Sequence, residues 1–490
     1  MFNTLSKFTL NFSMIFLVSA CSLAPDYQQP TKPIYQNWEN STKGIDTHQG
    51  ETVGTLEWQS FVIDENLKVI VEIALENNRD LRQVLLNVEA VRAQYQIERA
   101  DELPSFNISA DASRHRQALN ALELRGSSGP SNARYQNEYN AYIGMSAYEI
   151  DLFGRVRNMS EAGLQRYLAS EQGAMSAQIS LISEVIQAYL RRNGAQQRYA
   201  LTQKILDAQE LSLKLVEQSF KMGAVTELDY QEGLTLVQRM RVDLQKVQRE
   251  LHRANIALML LVGTDSSEIH LPDSPSYSAL VVQDIGPGAP SDLLIHRPDI
   301  KAAEHQLIAR NANIGAARAA FFPSVTLTGM YGGVSSEFSE LFNSGQRGWN
   351  FGPQINLPIF DGGRNQANLD LAILRKDIAV AAYEETIQIA FKEVSDSLAD
   401  VETLTREEVE QKRLQRATSR ALELSEIRYQ EGADNHLRLL DAQRNAFTSQ
   451  IALLDVMTQR QLALASLFKT LGGGWQAPIV KAPSSLDRDI

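Results

Sequence analysis

The residue with the clearest chemical potential is Cys21, the only cysteine among 490 residues. It follows a short leader with a single charge and an apolar stretch, a pattern typical of a secretory signal and too short to span a bilayer. The sequence VSAC at this point resembles the bacterial lipobox. We therefore expect residues 1–20 to be removed and the Cys21 sulfur to carry a lipid. Ser22, in place of an aspartate, favours the outer membrane, and an unmodified free thiol is the alternative.

A second group of candidate residues occurs twice along the chain. Leu437 and Asp441 lie four positions apart, which places them on one face of a helix. Leu228 and Glu232 lie 209 residues earlier and repeat the order of an apolar and an acidic side chain. From the residues alone, the leucines are candidates for a coiled-coil core and the acids for solvated charges, or both form a functional surface.

Other patterns argue against enzyme chemistry. The histidines show no metal-binding spacing, and the sequence has neither a nucleophile motif nor a glycine-rich phosphate loop. We therefore predict no catalytic residues, no metal and no cofactor, and read Pro298 with Asp299 as a helix start. The histidines whose spacing was considered are His48, His115, His252, His270, His296, His305 and His436.

The net charge of −12 does not suggest a basic surface for nucleic acid.

Two long copies of one unit organise the chain. Residues 82–105 align with 301–324 at an offset of 219, and the offset is then 209 for more than a hundred residues. The ten-residue difference lies between Pro104 and Gly154, so the first copy has the longer loop. Matched positions include Gly154 with Gly363, Glu184 with Glu393, Gly223 with Gly432, and Gly263 with Gly472.

Each copy contains two segments in which apolar and polar residues alternate, which predicts four strands. The second of them is predicted from Tyr139 to Ala147, with an apolar row of Tyr139, Ala141, Ile143, Met145 and Ala147 on one face. Strands of about 9 to 11 residues with this pattern are typical of outer-membrane proteins. A soluble antiparallel sheet with one buried face gives the same alternation. Pro353 is unfavourable inside a strand, because proline removes a ladder hydrogen bond and prefers an edge or a bulge.

Helical patterns surround these strands. One helix is predicted from about Asp64 to Leu103. After Gly154 and Gly363, apolar residues recur at spacings of three and four, as in coiled coils. These patterns run for about 66 residues, or roughly 100 Å of helix. Gly223 and Gly432 then supply the left-handed conformation that ends a helix, and a shorter return helix follows in each copy.

The predicted fold class is a mixed α and β chain with two tandem repeats, a coiled-coil α-barrel joined to a membrane β-barrel. Each chain supplies four strands, and open sheet edges are not tolerated in lipid. Several chains must therefore combine, and a wide pore favours at least a trimer. The predicted segments outside the repeats are a signal peptide 1–20, a lipidated segment 21–60, a linker 264–290 and a tail 473–490. Repeat 1 is predicted at 61–263, with β-hairpin 104–150, long helix 155–220 and return helix 226–263. Repeat 2 is predicted at 291–472, with β-hairpin 323–360, long helix 364–430 and return helix 434–471.

Several motifs, in order along the chain, resemble the TolC family, in its OprM-like lipoprotein branch, also called NodT-type. The resemblance runs from about Cys21 to Gly474. It implies a homotrimer with a twelve-stranded barrel in the outer membrane and a twelve-helix periplasmic tunnel. The motifs are CSLAPDYQQP, YEIDLFGRVR, PSDLLIHRPDI, ARAAFFPSVTLTG, LPIFDGGR and RYQEGADNHLRLLDAQR.

The resemblance also implies roles for residues at the helical turns. An apolar ring at a constriction blocks passage, and a ring of carboxylates repels anions or captures cations. The implied constriction residues are Leu437 and Asp441, which the repeat extends to Leu228 and Glu232. The candidate latch residues are Tyr429, Arg438 and Arg444, and the turns expected to dock an adaptor contain Gly223 and Gly432. Plain surface charge is the alternative for the two arginines.

The function implied is that of the exit duct of a tripartite efflux pump, which passively conducts drugs or other small molecules to the outside. A periplasmic adaptor protein would join it to an inner-membrane transporter, usually of the resistance-nodulation-division type. The expected partners are two further copies of the chain, the adaptor, the transporter and outer-membrane lipid, without nucleic acid. A duct for type I protein secretion is an alternative that the sequence does not separate. A lipid-anchored structural coiled coil with a soluble sheet is the third.

Overall fold

The computed structural model describes residues 22–31, 57–116, 135–264, 271, 279–283, 285 and 297–473. Cys21, the leader and most of the predicted linker and tail lie outside these residues. The described chain is mainly helical and contains one four-stranded sheet. Its helices are α1 (Trp58–Phe61), α2 (Glu65–Asn77), α3 (Arg79–Ala100), α4 (Arg155–Lys221), α5 (Glu227–Val262), α6 (Pro298–Ala319), α7 (Arg364–Gln430) and α8 (His436–Thr470). Its strands are β1 (Phe106–Arg116), β2 (Tyr135–Ile150), β3 (Ser324–Ser335) and β4 (Arg347–Asn356).

The described residues divide into two compact units. The sheet unit comprises the described parts of Met1–Pro30, Glu89–Ala169 and Ala303–Ala382. The helical unit comprises the described parts of Thr31–Val88, Ser170–Ala302 and Tyr383–Ile490. The turns between α4 and α5 and between α7 and α8 both belong to the helical unit.

The sheet is antiparallel, with the strands in sequence order, and its two faces differ in polarity. Ile108, Ile143, Tyr331 and Trp349 are cross-strand neighbours in one row. This row is apolar, yet Ile108 is 83% exposed and Trp349 is 77% exposed. On the opposite face, the side chain of Asn140 donates a hydrogen bond of 2.9 Å to Asp111. Among the residues that the structure describes, the apolar face is therefore not the buried face of a core.

Strand β2 is longer than the predicted Tyr139–Ala147 and contains an irregularity. Its register against β3 shifts between Met145 and Tyr148, as in a β-bulge. Ala147 has a φ of 54° there, a conformation that non-glycine residues rarely adopt. The prediction that Ala147 continues the apolar row is wrong, because the bulge interrupts the alternation and Tyr148 takes the place opposite Leu327.

The single helix predicted from Asp64 to Leu103 is divided in the structure, and this prediction is wrong. Asp64 caps α2 by accepting a hydrogen bond of 2.8 Å from the Leu67 amide. At Asn78 the backbone is extended, with φ −62° and ψ 127°. The Asn78 side chain accepts from the Leu81 amide at 2.8 Å and donates to the Leu261 carbonyl at 2.7 Å. It thus caps the start of α3 and the end of α5, which offsets the loss of helical hydrogen bonds.

The coiled-coil spacing marks buried residues of the helical unit. Ile179, Ile182 and Ile186 of α4 are buried, as are Ile387 and Val394 of α7. The long helices end at Lys221 and Gln430. These ends lie within one residue of the predicted ends at 220 and 430. Among the described residues, no helix combines the length and apolarity needed to cross a membrane.

A buried arginine links three segments of the helical unit. The side chain of Arg297 is 9% exposed and pairs with Asp299 at 2.6 Å and with Glu393 at 2.8 Å. It also donates to the Thr470 carbonyl at 3.0 Å. Burial disfavours the cation, but the hydrogen bonds and charges of Asp299 and Glu393 outweigh it and raise the pKa of Arg297. Helix α6 begins at Pro298, as predicted, and Arg297 ties that start to α7 and α8.

Replacing Arg297 by methionine should destabilise the protein, because two carboxylates and a carbonyl would lose their shared donor. We expect a loss of about 2–3 kcal/mol, below the range for fully buried pairs because both carboxylates are partly exposed. The measurement is the thermal melting temperature of the purified protein by circular dichroism. Arg310→Met changes an exposed arginine of α6 and is the control. Equal melting temperatures for Arg297→Met and wild type would contradict this network's importance.

Candidate functional site

Two helical turns, which we call the tips, carry the candidate residues of both copies. The first tip joins α4 to α5 and the second joins α7 to α8. Gly223 and Gly432 have φ values of 76° and 72°, so each ends its helix in the left-handed conformation. Thr226 and Asp229 form a capping box at the start of α5. Asn435 caps α8 by accepting a hydrogen bond of 3.1 Å from the Arg438 amide.

The leucines predicted for the constriction are largely exposed in the part of the chain that the structure describes. Leu437 is 59% exposed and Leu228 is 67% exposed. Leu439, two positions along α8, is buried instead. Within the described chain, Leu439 thus lies in the helical core and Leu437 lies on the surface.

The two acidic residues of the repeat lie in different surroundings. Asp441 is exposed, pairs with Arg444 and accepts a hydrogen bond of 3.3 Å from Asn445. Glu232 is half-buried and lies near His436 of the second tip. The structure therefore brings Leu228 and Leu437 into similar exposure but does not give Glu232 and Asp441 equivalent positions.

The candidate latch residues contact groups of their own tip. Arg438 lies 3.7 Å from Asp434, which also pairs with Arg428 at 2.7 Å. The hydrogen bond from Arg428 holds the pKa of Asp434 below its usual value. The Tyr429 ring lies 5.4 Å from the imidazole of His436. Burial, and to a smaller extent the charge of Asp229, raises the pKa of Tyr429.

One cluster was missed by reasoning from linear spacing. A ligand atom from each of Asp229, Glu232 and His436 lies within 4.8 Å of the other two. His436 belongs to the second copy and the two acids to the first, so no metal-binding motif along the sequence signals the cluster. Arg297 was also missed as a buried residue, although its place before the Pro298 helix start was visible.

The comparisons with known proteins decide the family. The sequence profile of the outer membrane efflux protein family matches residues 70–264 and 289–473. The chain belongs to this family. It is 49% identical to outer membrane protein OprJ of Pseudomonas aeruginosa over 458 residues, which cover 94% of each chain. It is 41% identical over 461 residues, again 94% of each chain, to the toluene efflux pump outer membrane protein TtgC of Pseudomonas putida.

Solved structures agree with this membership in the outer membrane efflux protein family. The open state of the MtrE outer membrane channel of Neisseria gonorrhoeae matches with a TM-score of 0.81 and 35% identity. The match covers 94% of this chain and all of that one. The predicted family, fold class, outer-membrane location and function in efflux are confirmed. The two profile matches fall on the two copies inferred from the sequence offset.

Proposed function

We propose that three copies of this chain form the exit duct of a tripartite efflux pump for small molecules. The observation that carries this proposal is the exposed apolar row across the sheet, which continues to strands at both edges. Lipid is a suitable environment for such a face, and strand edges in lipid must be paired. Strand β4, which contains Pro353, is an edge in one chain, so it would adjoin β1 of a neighbouring copy.

Three copies supply twelve strands, enough to begin to open a lumen, whereas two copies give eight strands whose side chains nearly fill the interior. The polar face with Asp111 and Asn140 would then line the water-filled side. A small-molecule cargo is favoured because the relative from Pseudomonas putida is named as a toluene efflux protein. The partners we propose are a periplasmic adaptor and an inner-membrane transporter of the resistance-nodulation-division type.

We assign the constriction to Leu437 and Asp441. Both are exposed in a single chain, so they are free to face equivalent residues of other copies around a common axis. A ring of leucines gates by excluding water, and a ring of carboxylates attracts cations and repels anions. Leu228 is exposed in the same way and is a candidate for a second apolar ring. The turns at Gly223 and Gly432 are the proposed docking points for the adaptor.

The candidate latch keeps its proposed role in a modified form. Arg438 and Arg444 pair with acids of their own chain, and Tyr429 packs on His436. In the proposed closed tip, these side chains would contact neighbouring copies. Opening the tip would return them to the pairs within one chain that the structure shows.

The residues after Cys21 support lipid attachment close to the sheet. The Leu23 carbonyl accepts a hydrogen bond of 3.1 Å from Arg318, and the Pro25 carbonyl accepts one of 2.7 Å from Asn311. A Cβ on Gly315 would lie 2.7 Å from the Ala24 nitrogen, so this glycine permits the close approach. Since α6 ends five residues before β3 begins, a lipid on Cys21 would lie near the proposed membrane surface.

Export in a strain without its own outer-membrane channel tests this proposal. Expression of the chain with its adaptor and transporter should restore tolerance to toluene or an antibiotic. We expect Cys21→Ala, exported with a working signal, to remain in the outer-membrane fraction and to retain most of this tolerance, because the strands hold the protein in lipid. Release of Cys21→Ala into the soluble periplasm would instead support a lipid-anchored coiled coil. If the strain instead secretes a protein substrate and gains no tolerance to toluene or the antibiotic, the result would support type I secretion.

A further inference from the structure

We propose that Asp229, Glu232 and His436 form a binding site for a divalent transition-metal ion of the zinc type. Such an ion would connect the first tip of the chain to its second tip. The proposal goes beyond the exit duct, because it concerns a ligand that passage through a channel does not require.

The imidazole of His436 points to a ligand because one of its two ring nitrogens is buried and unsatisfied. His436 is 6% exposed, and its Nδ1 is buried without a hydrogen-bond partner among the residues that the structure describes. A buried imidazole nitrogen without a partner is costly. A metal ion would satisfy a ring nitrogen at this position, since neutral imidazole is the commonest metal ligand in proteins.

Packing from both tips holds the imidazole in place. The Tyr429 ring lies on one side, with its centroid 5.4 Å away. Gly233 of α5 is buried, and a Cβ built on it would lie 4.0 Å from Cε1 of His436. The imidazole therefore lies close beside α5, in the first tip. A ligand fixed in this way loses little conformational freedom when it binds an ion.

The two carboxylates come from the start of α5. Thr226 donates hydrogen bonds of 2.9 Å and 2.6 Å to Asp229, both to Oδ2. These hydrogen bonds hold the Asp229 carboxylate at the start of α5 and lower its pKa. Burial lowers the pKa of His436, more than the neighbouring acids raise it.

The geometry requires only a small contraction. The three ligand atoms lie within 4.8 Å of one another, whereas ligand atoms in a tetrahedral zinc site lie about 3.3–3.4 Å apart. Rotation of the Glu232 side chain, which is half-buried, would shorten its distances to the other two ligand atoms. One nitrogen with two oxygens favours zinc-like ions over magnesium or calcium, which prefer oxygen ligands alone. Water would complete the coordination.

Isothermal titration of the metal-stripped, purified protein with zinc chloride tests the site. We expect one ion per chain, and affinity at least about tenfold weaker in His436→Gln and in Glu232→Gln. His252→Gln, which changes an exposed histidine of α5, should bind zinc as wild type does. Cobalt(II) in place of zinc should give visible absorption bands in wild type that are weakened in both variants.

Zinc affinity that is equal in wild type, His436→Gln and Glu232→Gln would overturn the proposal. Displacement of zinc by an equal concentration of magnesium would overturn it too, because it would identify a plain acidic surface. If circular dichroism shows that His436→Gln does not fold, the Glu232→Gln titration decides alone. Binding is measured without transport, so failure of this site would leave the exit-duct proposal standing, and a chain that fails to conduct would still be able to bind zinc.

Discussion

The combined replacement of Leu437 and Asp441 by alanine should raise the conductance of the reconstituted protein by about two- to tenfold. Both side chains are exposed in one chain, so the proposed assembly would place them on the channel axis. Alanine would remove the apolar ring that excludes water and the charges that hold cations. Asp441→Ala alone should mainly weaken cation preference, while Leu437→Ala alone should mainly increase the open area.

A matched control for this variant exists on α7. Glu410 and Leu414 are also an acid and a leucine four positions apart, both exposed, and Glu410 pairs with Arg413 as Asp441 pairs with Arg444. Leu414 lies 16 residues before the end of α7, roughly 24 Å along the helix. Glu410→Ala with Leu414→Ala should leave conductance unchanged. Equal conductance for wild type and the tip variant would refute the constriction assignment.

Gly332→Val should prevent assembly of the protein in the outer membrane. Gly332 of β3 lies opposite Tyr142 of β2. A Cβ built there would overlap the Ala141 carbonyl and lie 2.5 Å from Cα of Tyr142. Both atoms are backbone and cannot rotate away, so the central strand pair would have to separate. We expect loss of nearly all folded protein from the outer-membrane fraction, measured by immunoblot with and without heating of the sample.

Gly348→Val is the control for this substitution. Gly348 of β4 lies directly opposite Gly332, but a Cβ at Gly348 meets no other atom within 4 Å among the described residues. It should assemble as wild type does. If the Gly332→Val protein is present in the outer-membrane fraction in normal amounts, in an assembled form that heating dissociates, the β2–β3 pairing is not as described.

The repeat and its turns were accessible from the sequence because they depend on local chemistry. Glycine at both matched positions predicted the left-handed ends of α4 and α7, and Gly223 and Gly432 have that conformation. The alternation of apolar and polar residues likewise indicated the strands. Coiled-coil spacing indicated buried positions such as Ile182 and Val394. Family motifs then supplied the function, which the spacing alone did not.

The remaining features depend on contacts between distant residues. Asn78 divides a helix because its side chain reaches the end of α5, and no glycine or proline marks that position. The bulge near Ala147 depends on pairing with β3. Glu232 and Asp441 match in the repeat, but only the structure shows that Glu232 lies near His436. For the same reason, the contacts of Arg297 with Glu393 and Thr470 were not predictable from the residues around it.

Single-channel recording of the purified wild-type protein in planar lipid bilayers tests whether the chain forms a duct. We expect stepwise conductance with a preference for cations, and larger steps with a weaker cation preference when Leu437 and Asp441 are both alanine. If protein that circular dichroism shows to be folded enters the bilayer and produces no conductance steps, the chain does not form a duct.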